Sequence, residues 1–261
     1  MRLQLVGGGR MGEALLAGLL GAGWAPAGEV RVVEALAPRR AELTARFPDI
    51  EVTDTVGPAE GTVLATKPGD IATACAALGA DAGRVLSIAA GVRLADLEGA
   101  LPSGTPVVRA MPNTPALVGA GAAAIAAGTA ATDDDLAWAE SILSAVGIVV
   151  RVAEPLLDAV TGLSGSGPAY VFLVAEALIE AGVLVGLPRP VAAELAGQTL
   201  LGSARLLVEG DDGPEALRAA VTSPGGTTAA GLRALEQAGV RAAFLDAVVA
   251  ATERSRELGG V

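Results

Sequence analysis

The chain contains no histidine. Every Ser-His-Asp and Cys-His relay is excluded, and most zinc sites with them. A single cysteine, Cys75, excludes an intramolecular disulfide framework. Aromatic residues make up 2%, so the core has to be aliphatic, and abundant Ala and Gly suit closely packed helices. Basic residues are also few: 18 Lys plus Arg against 29 Asp plus Glu leave a net charge of −11, the wrong sign for a general nucleic-acid binder. Charged residues total 18% against 52% hydrophobic, the reverse of a disordered chain. Any chemistry must come from a cofactor, hydroxyls, carboxylates or backbone amides, and no metal is expected.

What is present is enough for one large or two small domains in 261 residues. Met1 to Val6 lack the basic and long apolar regions of a targeting segment. The longest apolar region, Val171 to Leu187, carries Glu176 and Glu180 and reads as too short and too charged to cross a membrane. A soluble cytoplasmic protein without a membrane partner is the expectation. Short apolar runs at 3–6, 30–33, 62–65, 84–88 and 107–109 alternate with helical stretches, which predicts a parallel α/β sheet. Thr132 to Asp135 reads as a capped helix start, the Ala- and Gly-rich 119–131 as a packed strand or loop, and 148–152 as the last strand. After about Glu154 the strand signal stops, and 168–185, 190–208 and 240–257 read as long helices. Residues 1–154 are therefore expected to form the α/β domain and 155–261 an all-helical one. Helix 168–185 is apolar on several faces, which points to burial against another subunit; a central helix within one bundle is the plainer alternative.

Gly7-Gly8-Gly9-Arg10-Met11-Gly12 carries G-x-G-x-x-G directly between the first strand and an amphipathic helix. Gly7 permits the tight turn, Gly9 lets backbone approach a pyrophosphate, and Gly12 lets helix and strand pack closely. Helix N-terminal amides then hold the phosphates. Glu34 ends the second strand, where an acidic residue takes ribose hydroxyls and favours NAD, yet Arg39 and Arg40 follow and suit a 2′-phosphate. Lys67, the only lysine, sits at a strand end in Ala65-Thr66-Lys67-Pro68; the plain alternative is a surface lysine. Ala89-Ala90-Gly91 ends another strand, to pack a cofactor ring or simply to turn the chain. Asn113 lies between two prolines in Met111 to Pro115, either donating to a ligand or capping the turn. In the helical half, Thr161 to Tyr170 stands out, and so does Ser223-Pro224-Gly225-Gly226-Thr227-Thr228. The latter puts two glycines and two hydroxyls at a helix start, an anion site for a substrate carboxylate; capping by Thr227 or Ser223 is the alternative.

Taken together, and in this order, these segments resemble the pyrroline-5-carboxylate reductase family. The resemblance implies a Rossmann-type N-terminal dinucleotide-binding domain and an all-helical C-terminal dimerisation domain. It implies reduction of (S)-1-pyrroline-5-carboxylate to L-proline by NADPH, with NADH as competitor, and dimers that assemble further into decamers. By the same resemblance Ser223, Gly225, Gly226, Thr227 and Thr228 hold the substrate carboxylate and Thr228 also serves the imine nitrogen. The cofactor falls to Gly7, Gly9, Arg10, Met11, Gly12, Glu34, Arg39, Arg40, Ala65, Thr66, Lys67, Pro68, Ala89, Ala90, Gly91 and Asn113.

Overall fold

The computed structural model describes residues 1–260. Eight strands form one sheet: β1 (Leu3–Val6), β2 (Val30–Val33), β3 (Glu51–Thr53), β4 (Gly61–Leu64), β5 (Arg84–Ser87), β6 (Val107–Met111), β7 (Gly121–Ala127) and β8 (Gly147–Arg151). Their order is β3-β2-β1-β4-β5-β6-β7-β8. All neighbours pair in parallel except β6 and β7, which run antiparallel. The sheet is thus parallel-dominated rather than wholly parallel: the short connection over residues 112–120 has no room for a crossover helix, so β7 must return beside β6. The sequence pattern missed β3 because three residues, two of them polar, are too short to show a period of two.

Helices α1 (Arg10–Gly21), α2 (Ala37–Arg46), α3 (Ile71–Leu78), α4 (Leu94–Ala100) and α5 (Asp133–Leu143) connect these strands. Strand alternation divides the core by face. Leu3 and Leu5 join Leu15, Leu16, Leu19 and Ile142 in one cluster, while Val6 joins Leu64, Ile71, Leu78 and Leu97 in the other. Cys75 is buried with the second cluster, and burial pushes its thiol pKa up. The expected capped start of α5 is present, with Thr132 and Asp135 forming a reciprocal capping box.

Beyond β8 lie α6 (Leu157–Val160), a π-helical turn at Thr161–Gly165, α7 (Gly167–Leu184), α8 (Arg189–Glu209), α9 (Pro214–Ala220), α10 (Thr227–Gln237) and α11 (Val240–Leu258). The chain divides into two compact units, one of residues 1–166 plus the stretch from Val249 onward, the other Gly167–Val248. The division falls later than the boundary expected at 154 because Leu157 is fully buried in the sheet's second cluster. Within the same unit, the Ser255 hydroxyl also donates to Asp158 at 2.6 Å.

The helical unit has almost no interior. Its buried hydrophobic residues are Ala192 and Ala196, whereas Phe172 is 63%, Leu173 65%, Leu184 86% and Leu245 68% exposed. The helical run Glu154–Leu184, 31 residues that include an 18-residue stretch with a mean hydropathy of 1.5, is long and apolar enough to cross a membrane by length and composition alone. It exceeds the expectation from Val171 to Leu187 because α6, the π turn and α7 are continuous. An apolar surface of this extent needs a cover.

Candidate active site

The chain leaves β1 for β2 on one side and returns to β4 on the other, so the sheet's switch point lies between the C-terminal ends of β1 and β4. The glycine-rich turn occupies it. Gly7 has φ +106, and a Cβ there would lie 2.6 Å from the Ala65 carbonyl oxygen. A Cβ on Gly12 would lie 2.1 Å from the Gly7 oxygen, so α1 and β1 approach as only glycine allows. Gly9 faces open space and is the N-cap of α1, with no side-chain cap, leaving the first-turn amides available to an anion. On the β4 side, the Thr66 hydroxyl is enclosed without a hydrogen-bond partner, while Lys67 is exposed at the strand end.

Glu34 meets the same turn from β2. One carboxylate oxygen accepts from the Gly8 amide at 2.9 Å and the other from the Leu36 amide at 2.9 Å. Arg39 donates through Nε to the Gly8 oxygen at 2.8 Å and through its terminal nitrogens to Glu42, at 2.8 Å, and to Glu13. These partners raise its pKa, the Glu42 hydrogen bond first and then that of Glu13. Arg40 donates to the Glu34 and Ala35 oxygens at 2.8 and 2.7 Å and pairs with Asp54 at 3.3 Å. Both arginines are thus held by carboxylates and carbonyls of the loop that they were expected to open to a phosphate. Sequence reading missed Glu13, which also pairs with Arg46. The signal was available, since Arg39 and Arg46 stand seven apart on one face of α2.

A cleft of about 810 Å3 opens beside these strand ends, lined by Pro68, Gly69, Ala90, Gly91, Thr161 and Ser166 among others. The structure therefore brings together the Gly7–Gly12 turn, Glu34, Ala65 to Pro68 and Ala89 to Gly91 on one sheet edge. Asn113 stands apart from the expectation: its amide nitrogen donates to the Ser164 oxygen at 3.0 Å and its oxygen accepts from the Ala122 amide at 2.8 Å. Each end of its side chain thus makes a hydrogen bond within the protein, as the turn-capping alternative expects.

Ser223 to Thr228 belongs to the other compact unit. Gly226 is the N-cap of α10 and no side-chain cap is formed, so neither Ser223 nor Thr227 closes this helix start. The Gly226 amide donates to the Ser223 oxygen at 3.1 Å, which coils the turn and leaves the following amides pointing off the helix end.

Residues 154–258 match the family model for pyrroline-5-carboxylate reductase dimerisation, and residues 2–91 match that of the coenzyme F420-dependent NADP oxidoreductases. The pyrroline-5-carboxylate reductase of Synechocystis is 47% identical over 99% of this chain and 98% of its own. That of Mycobacterium tuberculosis is 46% identical over 98% and 96%. The chain belongs to the pyrroline-5-carboxylate reductase family. Among solved structures, the family member from Coxiella burnetii superposes with a TM-score of 0.94 at 36% identity, covering 100% of this chain and 99% of that one. The Plasmodium falciparum reductase with NADP bound gives 0.83 at 29%, covering 100% and 98%. As a family member the chain is an NAD(P)H-dependent oxidoreductase with a Rossmann-like N-terminal domain, and its helical region is a dimerisation module that explains the uncovered apolar helices.

Proposed function

We propose that the chain reduces (S)-1-pyrroline-5-carboxylate to L-proline, with the dinucleotide held on the sheet edge and the substrate carboxylate at the start of α10. One observation carries this reading: α1 and α10 open on glycine with neither a side-chain cap nor a proline in the first turn, on the two modules the family uses for cofactor and for dimerisation. The turn fits a dinucleotide, since Gly9 leaves space for a pyrophosphate and the enclosed Thr66 hydroxyl lacks a partner. Gly7, Gly9, Arg10, Met11 and Gly12 hold the phosphates, and Ala65 to Pro68 with Ala89 to Gly91 flank the ring. When bound, the reduced nicotinamide supplies the hydride for imine carbon C5.

The chain's own residues position the substrate. Amides of Gly226 and Thr227 and hydroxyls of Ser223 and Thr228 hold the carboxylate, while Gly225 lets the turn close. The Thr228 hydroxyl also hydrogen-bonds the imine nitrogen. A proton already on that nitrogen makes C5 electrophilic, so hydride addition completes the conversion of C=N to CH–NH without a strong acid, in keeping with a chain that has no histidine. Keeping the reacting carbons at roughly 3–3.5 Å is then the main contribution.

The resemblance implies NADPH, but the charges of this chain support NADH. Glu34 reaches the Gly8 amide, where a ribose diol is read. Arg39, Arg40 and Arg46 pair with Glu13, Glu42 and Asp54, which compensates their three positive charges before a 2′-phosphate arrives. The protein works as a homodimer, which assembles further into a decamer, in the cytoplasm. A steady-state assay of pyrroline-5-carboxylate with NADH and NADPH side by side tests the reading, with proline-forming turnover expected. Tight cofactor binding without turnover would make the chain a dinucleotide sensor instead. More than tenfold higher activity on another imine would reassign the substrate.

A further inference from the structure

We propose that Asn113 is a positioning residue for hydride transfer, acting through the π-helical turn at Thr161–Gly165 rather than by contact with the cofactor. This rests on the reductase reading above. The turn is held by an i to i+5 bond in which the Ser166 amide donates to the Thr161 oxygen at 2.8 Å. Such turns are rare and have poorer backbone bonding than an α-helix, so something must hold one in place.

Two features of β6 and its loop do so. The Ser164 oxygen would take its helical donor from residue 168, but Pro168 has no N–H. The Asn113 amide nitrogen fills that role at 3.0 Å, while its oxygen is fixed by the Ala122 amide at 2.8 Å. One partner is a carbonyl and the other an N–H, so the orientation of the amide is unambiguous. Met111, at the end of β6, packs against the same turn: a Cβ on Gly165 would lie 2.5 Å from its methyl carbon. The turn is therefore gripped at two adjacent residues by the strand end. Thr161 and Ser166, at the two ends of the turn, line the cleft together with Ala90 and Gly91. Asn113 thereby sets the place of a wall of the cleft without facing the ligand.

The test is Asn113→Ala alone and with Pro168→Ala, which returns a backbone N–H toward Ser164. In Asn113→Ala, kcat on pyrroline-5-carboxylate should fall at least tenfold while the Kd of the reduced cofactor, measured by its fluorescence without substrate, stays within twofold. The double variant should regain at least threefold in kcat. A parallel rise in Kd would make Asn113 a cofactor ligand and overturn the proposal. So would an unchanged kcat, or a double variant no better than the single one. If Asn113→Ala does not fold, Asn113→Asp keeps the acceptor for Ala122 and gives the same comparison. An unmodified protein without turnover would overturn the reductase reading and this proposal with it, and the wild-type control shows which has failed.

Discussion

On the proposed reading of the charges around the adenosine end, replacing Glu34 by Gln should raise the use of NADPH relative to NADH. The substitution keeps the side chain's shape and one acceptor for the Gly8 amide, which Glu34 now meets at 2.9 Å. The three arginines of this loop, Arg39, Arg40 and Arg46, are paired with Glu13, Glu42 and Asp54, so Glu34 is a carboxylate in excess of those pairs and its removal takes the local sum from 3 − 4 = −1 to zero. At about 5 Å and an effective dielectric of about 40, a pair of unit charges interacts by roughly 1.7 kcal/mol. A phosphate carrying about −1.5 to −2 would therefore be relieved of roughly 2.5–3.3 kcal/mol. Glu34 is half-buried, and salt screens part of that repulsion, so a gain of about 10- to 100-fold in kcat/KM for NADPH is the reasonable range. NADH should lose the charged acceptor for its ribose hydroxyls, a drop of about 10-fold at the weak end of charged hydrogen bonds. The assay is kcat/KM for both cofactors at saturating pyrroline-5-carboxylate, repeated at low and high salt. A ratio that moves less than threefold would show that Glu34 does not face the ribose, and the charge argument would fail.

Other consequences are as direct. Glu154 accepts from the first amide of α4 at 2.7 Å and from Arg109, itself 7% exposed, at 2.8 Å. Glu154→Ala should lower unfolding stability by about 3 kcal/mol by leaving a buried guanidinium unpaired; a loss under about 1 kcal/mol by urea titration would contradict this. Thr228→Ala should reduce kcat/KM for pyrroline-5-carboxylate by about 10- to 150-fold with little change in cofactor Kd, and an unchanged kcat/KM would remove Thr228 from the site. Because the helical unit buries only Ala192 and Ala196 among its hydrophobic residues, sedimentation at micromolar concentration should find a dimer or larger and no stable folded monomer.

The parts of the fold that were legible in the sequence are those set by local sterics. Gly7, Gly9 and Gly12 each meet a separate requirement, a left-handed turn, open space and a close approach, so their spacing, together with the strand before and the helix after, made the turn at the end of β1 legible. The apolar faces of 168–185 were legible as a subunit surface for a similar reason, since no partner within a small helical unit could hide them. Charge was not legible in this way. Two arginines against Glu34 are what the sequence displays, whereas Glu13, Glu42 and Asp54 reach the same loop from α1, α2 and the end of β3. The π turn was invisible too. Nothing local in Thr161 to Gly165 separates it from an ordinary helical turn, because its determinants are Pro168 downstream and Asn113 on a distant strand loop.

The starts of α1 and α10 differ from those of α4, α5, α8 and α9. The first turn of α5 is closed by its own capping box, that of α4 by the Glu154 carboxylate, α9 begins with Pro214, and α8 follows Pro188 and has Pro190 as its second residue, prolines that have no N–H to satisfy. In α1 and α10 the cap is glycine and no side chain reaches the first turn. Each leaves orphan amides that water must serve until an anion displaces it, and the helix dipole adds to their preference for negative charge. A sequence able to build a Thr–Asp capping box at α5 does not build one at either glycine. On the proposed function, α1 takes a pyrophosphate and α10 a carboxylate, so a chain without histidine meets both reactants with backbone amides, to which Ser223 and Thr228 add hydroxyls.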